Sequence, residues 1–178
     1  MAYFNLPPGI QLYYEDHGHG QPILFIHGLW ASSRFYQKQL TYFGQRYRAI
    51  APDLRGHGRS QHTHAGNTVA THAQDVHALV HGMRLTDVVL VGWSMGAFVL
   101  WEYFKQFGAD NVKATVIIDE SPSDFKWADW PFGAFDFPTL CHLMAAVQTD
   151  RAAVVRDILS ELFNTPLRRM TSHGWSRN

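Results

Sequence analysis

A serine with a glycine two residues to either side is the most informative local pattern in this sequence: Gly92-Trp93-Ser94-Met95-Gly96. A hydroxyl attacks a carbonyl carbon only if its turn presents it with the neighbouring side chains cleared away. Gly92 and Gly96 remove the side chains that would collide across such a turn, whose serine takes an unusual backbone conformation. The pattern alone arises by chance in roughly one chain in twenty of this length. Its context is more selective. The apolar run Val88-Val89-Leu90-Val91 precedes it and Met95–Phe107, apolar nearly all round, follows it. Ser94 therefore falls at a strand-to-helix junction, where a strained turn can push its Oγ out above the sheet, and Met95 supplies the next backbone N–H toward a developing oxyanion.

The elements that must hold this turn follow from hydrophobic periodicity. Short apolar or β-branched runs alternate with longer amphipathic segments, which predicts an α/β class with a mostly parallel sheet and helices on its faces. An opening stretch around Gln11–Tyr14 precedes a turn-rich Asp16–Gly20, and the strands expected are Ile23–Ile26, Tyr47–Ala51, Val88–Val91 and Ala114–Asp119. Ser32 is placed to cap a helix carrying Tyr36, Leu40 and Phe43, which Gly44 would end in a left-handed conformation. Val69, Ala73, Val76, Val80 and Met83 are spaced for a second helix, and Gly108 is the expected terminator of the third. Beyond Asp119 the strand signals stop. An aromatic and proline-rich stretch from Phe125 to Pro138 leads into two helical patterns, the second opening at a capping Asp150, and Leu167–Asn178 has no periodicity.

Composition narrows the function classes. The 178 residues carry fifteen Lys plus Arg against fifteen Asp plus Glu, a net charge of zero, so neither nucleic-acid binding nor attachment to an anionic membrane is expected. No window is long and apolar enough to span a bilayer, and Met1–Asn5 lacks the basic and apolar regions of an export signal, which makes the cytoplasm the default expectation. The single cysteine, Cys141, excludes an internal disulfide and reads as a small buried apolar residue.

Three segments resemble the α/β-hydrolase family, in family order: Phe25-Ile26-His27-Gly28-Leu29-Trp30, Asp53-Leu54-Arg55-Gly56-His57-Gly58-Arg59-Ser60, and Val91-Gly92-Trp93-Ser94-Met95-Gly96. The resemblance is to the cofactor-independent esterase, perhydrolase and non-haem haloperoxidase-like branch. It implies an α/β-hydrolase core over residues 1–120, and a partial helical cap with an irregular tail over 121–178. On that resemblance the C-terminal strands of the family are expected to be absent from these 178 residues. The resemblance assigns Ser94 as nucleophile and the Leu29 and Met95 amides as oxyanion donors, and Trp30 and Trp93 are candidates for the substrate pocket. A serine where haloalkane dehalogenases and epoxide hydrolases place an aspartate argues for acyl transfer. The family's triad acid and histidine follow the nucleophile in sequence. Asp119 or Glu120 is the candidate acid, and His173, in the irregular tail beyond both helical patterns, is the candidate base, since the family usually carries these groups after the cap.

The expected function is hydrolysis of small carboxylic esters or related acyl substrates through an acyl-enzyme on Ser94, with no cofactor and no metal. The alternative is a truncated, non-catalytic or assembly-dependent fragment needing a partner chain for the acid and histidine. Its motive is strand 114–119, whose outer edge would be apolar and open to a companion chain or a second copy. The remaining polar residues carry blander readings. His27 orders its loop by hydrogen bonds, and Arg55 and Arg59 fix the turns of theirs. His62, His64, His72, His77 and His81 belong to an exposed polar face, although His77 and His81 have a spacing that can share a metal. The aromatics Trp127–Phe137 are either core or the lining of an acyl pocket.

Overall fold

The computed structural model describes residues 2–7 and 9–163. It divides into two compact units, Met1–Pro122 and Ser123–Asn178. In the first, six strands form one sheet: β1 (Ala2–Leu6), β2 (Ile10–His17), β3 (Pro22–Ile26), β4 (Arg48–Pro52), β5 (Val88–Trp93) and β6 (Val112–Ile118). Their order across the sheet is β1-β2-β4-β3-β5-β6. β1 and β2 form an antiparallel hairpin, β2 joins β4 antiparallel, and the β4, β3, β5 and β6 pairings are parallel. The helices are α1 (Gln37–Phe43), α2 (Val69–Gly82) and α3 (Met95–Phe107).

Alternation along the central strands shows how both faces are covered. Leu24, Ile26, Ile50, Val88 and Leu90 pack with residues of α2 and α3. Their neighbours Ile23, Phe25, Ala49, Ala51 and Val91 pack with Tyr36 and with Leu40 of α1. Successive side chains on a strand point to opposite faces, so the two clusters lie on the two sides of the sheet. β6 is the exception. It stands at one edge of the sheet, and Val116 and Ile118 are 45% and 40% exposed.

Several expectations need correction. β1 was not expected, and β2 runs four residues beyond the opening Gln11–Tyr14 stretch, counting one at its start and three at its end. The first helical segment begins as a 3-10 turn, Ser33–Tyr36, and the Ser32 side chain makes no capping bond. Gly44 is right-handed (φ −59°), not left-handed. Crowding explains its lack of a side chain, because a Cβ there would lie 2.7 Å from the Leu40 carbonyl oxygen and 2.9 Å from His17 Cβ. Gly108 does take the positive φ, 72°, expected after α3.

In the second unit, α4 (Phe137–Phe163) is broken at Asp150, whose backbone is non-helical. Asp150 accepts the Ala153 N–H at 2.9 Å, so the two expected helical patterns are joined by an N-cap inside the run. Cys141 is exposed and not buried. Trp127, Phe132 and Phe137 are exposed as well, so the aromatic stretch is not uniformly core. No described helix is long and apolar enough to cross a membrane.

Candidate active site

Ser94 lies between β5 and α3 with φ 51° and ψ −124°, and its side chain makes no capping bond to the helix it precedes. This conformation is strained for any residue with a Cβ. It persists because the surroundings over-determine it. The Ser94 N–H donates to the Ile118 carbonyl at the end of β6, 3.2 Å away, and its own carbonyl accepts from the Ala97 N–H at 2.7 Å. A Cβ on Gly92 would lie 2.6 Å from the Gly96 carbonyl oxygen and 2.8 Å from the Ala97 nitrogen, so only glycine allows the turn to fold this tightly. Strain of this kind makes a simple prediction. Ser94→Gly should be more stable than Ser94→Ala by about 1 kcal/mol, although both lose the hydroxyl, because only glycine relieves the positive φ. Equal urea midpoints for the two variants would contradict it.

The loop after β3 faces this turn. A Cβ on Gly28 would lie 3.1 Å from Ser94 Cβ and 2.9 Å from the Trp93 ring, which brings the Gly28 backbone against the serine. Leu29 and Trp30 follow, both exposed, and Trp30 holds a positive φ of 58°. Met95 opens α3, where the first amides of a helix have no intrahelical acceptor. Trp93 stacks on Phe35, their rings 4.0 Å apart and 7° from parallel. Phe35 was absent from the sequence-based site. Its signal was its position off the face that carries Tyr36, Leu40 and Phe43, which leaves an exposed aromatic needing an explanation.

The loop between β4 and α2 braces these segments. Asp53, fully buried, accepts the Ser33 N–H at 2.6 Å and the Arg59 N–H at 2.7 Å. Arg55 forms a two-pronged ion pair with Asp75 of α2 at 2.7 and 2.5 Å. Arg55 thus ties its loop to a helix and does more than fix its own turn. Burial pushes the Asp75 carboxyl up, and the Arg55 guanidinium opposes that shift.

His27 is wholly buried, with Nδ1 2.8 Å from the Gly28 carbonyl oxygen and Nε2 accepting the Leu54 N–H at 2.9 Å. His57 packs 5.1 Å from it, between ring centres, and His72 lies 5.9 Å beyond His57. His72 is only 2% exposed, which corrects its placement on an exposed polar face, and its Nδ1 has no hydrogen-bond partner among the described residues. Burial holds the His27 and His72 imidazoles down at about 4, and neighbouring histidines add to the effect. His77 stacks on Phe107 at 3.8 Å and lies 4.2 Å from His81, ring centre to ring centre. Among the described residues, no group of three or more His, Cys, Asp or Glu side chains is arranged to hold a metal.

Asp119 directly follows the Ile118 carbonyl that holds Ser94, and it is exposed with a positive φ of 53°. The Glu120 carboxylate accepts the Ser121 N–H at 2.9 Å. His173 lies outside the described residues.

A family model described as the alpha/beta hydrolase fold matches residues 21–149. The chain belongs to the α/β-hydrolase family. Among relatives in that family, a non-heme haloperoxidase of Rhodococcus erythropolis is 39% identical over 123 residues, covering 68% of this chain and 45% of its own. A bifunctional esterase/perhydrolase of Acinetobacter calcoaceticus is 32% identical, with the same two coverages of 68% and 45%. The solved esterase of Exiguobacterium antarcticum superposes with a TM-score of 0.84 at 27% identity, over 90% of this chain and 60% of that one. This α/β-hydrolase chain thus spans about half the length of the curated relatives it matches.

Proposed function

We propose that this α/β-hydrolase chain carries the nucleophile half of a serine hydrolase active on small carboxylic esters or related acyl substrates. The observation that carries this reading is Ser94 itself. A buried framework holds it at φ 51° with its hydroxyl unspent on helix capping and the Gly28 backbone packed against it. A residue kept in so strained a conformation needs a reason, and presentation of Oγ above the sheet supplies one. In the proposed mechanism Ser94 Oγ attacks the acyl carbon as a base takes its proton, and the Leu29 and Met95 amides receive the oxyanion. The proton passes to the departing alkoxide, which leaves as the alcohol, and water then releases the acyl group as the acid and restores the Ser94 hydroxyl. The stacked Phe35 and Trp93, with Trp30, offer an apolar wall for the acyl or alcohol portion. An esterase/perhydrolase and an esterase among the relatives fit this substrate class.

Within the chain, the candidate acids are Asp119 and Glu120 and the candidate base is His173. The open edge of β6 favours a second source. Val116 and Ile118 are exposed there, and a companion chain or a second copy adding a parallel strand would cover them and bring an acid and a histidine beside Ser94.

Intact-mass analysis after fluorophosphonate treatment tests the reading. The expected result is one phosphonyl adduct on the wild-type chain and none on Ser94→Ala. Loss of labelling in His173→Ala would place the base in this chain, whereas labelling that rises steeply with protein concentration would place it across an assembly. A folded wild-type chain that takes no label under any of these conditions would overturn the proposal.

A further inference from the structure

The protonation of His27 is set by its hydrogen bonds. Its Nε2 accepts the Leu54 N–H at 2.9 Å, and an amide can only donate, so Nε2 carries no proton. The neutral ring therefore holds its proton on Nδ1, which donates to the Gly28 carbonyl oxygen at 2.8 Å. That carbonyl shares a planar trans peptide with the Leu29 N–H, and the two groups point in opposite directions across the plane. Holding one therefore aims the other.

We propose that His27 is a positioning residue for the Ser94 site: by fixing the Gly28 carbonyl it rotates the Leu29 N–H into the direction needed by a substrate oxyanion. The proposal rests on the reading that Ser94 is the nucleophile and Leu29 an oxyanion donor. Two features make His27 suited to the task. It is wholly buried, so water does not compete for either bond, and its far nitrogen is anchored to the Leu54 backbone on a different loop. The Ala31 N–H also reaches the Gly28 oxygen, at 3.2 Å, but comes from the same loop and moves with it. The groups facing the ring are His57, at 5.1 Å, and Asp53, and the ring is neutral at physiological pH because burial keeps its affinity for a second proton low.

Two amide replacements separate positioning from simple structural support. Asn at this position can reproduce the Nδ1–H donor to Gly28 while leaving the Leu54 N–H without its partner. Gln can reproduce the acceptor for Leu54 while giving up the bond to Gly28. A purely structural role makes His27→Asn at least as harmful as His27→Gln, since it orphans a buried amide. Positioning predicts the reverse. The rate of Ser94 phosphonylation, normalised to the folded fraction, should stay within about 5-fold of wild type in His27→Asn. It should fall about 100-fold in His27→Gln, the loss typical of one oxyanion donor. A Gln variant as fast as wild type, or an Asn variant as slow as Gln, would overturn the proposal.

Nuclear magnetic resonance on the same samples gives an answer independent of reactivity. The wild-type His27 ring should show a protonated Nδ1 and a bare Nε2, and the Leu29 amide resonance should move in the Gln variant and stay in place in the Asn variant. A protonated Nε2 in the wild type would overturn the proposal even if neither variant folds. If the wild type takes no label, the hydrolase reading fails by itself, and the tautomer and the Leu29 resonance still decide whether His27 aims that peptide.

Discussion

Gly96→Ala should cost this chain about 3 kcal/mol of stability or more, the upper range for overpacking a site that cannot relax. A Cβ at this position would be driven into the Ile26 carbonyl oxygen, and it would also lie 2.9 Å from the Ile26 carbonyl carbon and 3.1 Å from the His27 carbonyl oxygen. All three atoms are backbone. A side chain could swing away, but here relief requires moving α3 off β3, and Ile26, Val99 and Leu100 belong to one buried cluster that such a shift would open. Gly108→Ala is the control. It also has a positive φ, 72°, yet a Cβ there meets nothing within 4 Å, so its cost should be the backbone strain of about 1 kcal/mol. Urea titrations of the two variants check the difference. Equal midpoints would mean that the start of α3 is loosely packed and that the Ser94 turn is not held as described.

Acid should destabilise the chain well above the range where carboxylates protonate. The His27 and His72 imidazoles are held at about 4, below the 6.5 of an exposed histidine, chiefly by burial. The unfolded chain therefore binds protons between pH 6.5 and 4 that the folded chain refuses. The sign follows: stability is complete above about pH 6.5, declines as pH falls toward 4, and gains nothing further from these groups below that. His27 alone accounts for on the order of 3 kcal/mol across the interval, a large part of a typical domain's total. His72 acts in the same direction, with His57, His27 and Arg55 facing it. Because its Nδ1 makes no hydrogen bond to a described residue, His72→Leu should remove a protonation site at little structural cost. The pH dependence of stability in this window should then flatten by about one proton. An unchanged slope would show that His72 is already protonated in the folded state.

The contrast between readable and unreadable features runs through this molecule. α3 was legible end to end, Met95–Phe107, because its run of apolar residues is bounded by a strand signal and by Gly108. Asp150 was legible as a cap for a similar local reason: a carboxylate accepts the amide three residues on. β1 was not legible. Its alternating Ala2-Tyr3-Phe4-Asn5-Leu6 is short and mixed in polarity, and it becomes a strand by pairing with β2. Gly44 misled in part for the same reason, since one of the two contacts that exclude a side chain, His17 Cβ, comes from far back in the chain, beside the local Leu40 carbonyl oxygen.

By itself the sequence determined the class of fold, the strand-serine-helix junction and the segments that resemble the α/β-hydrolase family. Those features are set by periodicity and by steric demands within a few residues. Only the tertiary structure decided that His72 is buried, that Cys141 is exposed, that Phe35 stacks on Trp93 and that His27 links two loops. The physical reason is common to all four. Burial and partner choice depend on which surfaces meet when strands and helices distant in sequence pack together, and a residue type carries no record of the neighbour that packing will give it.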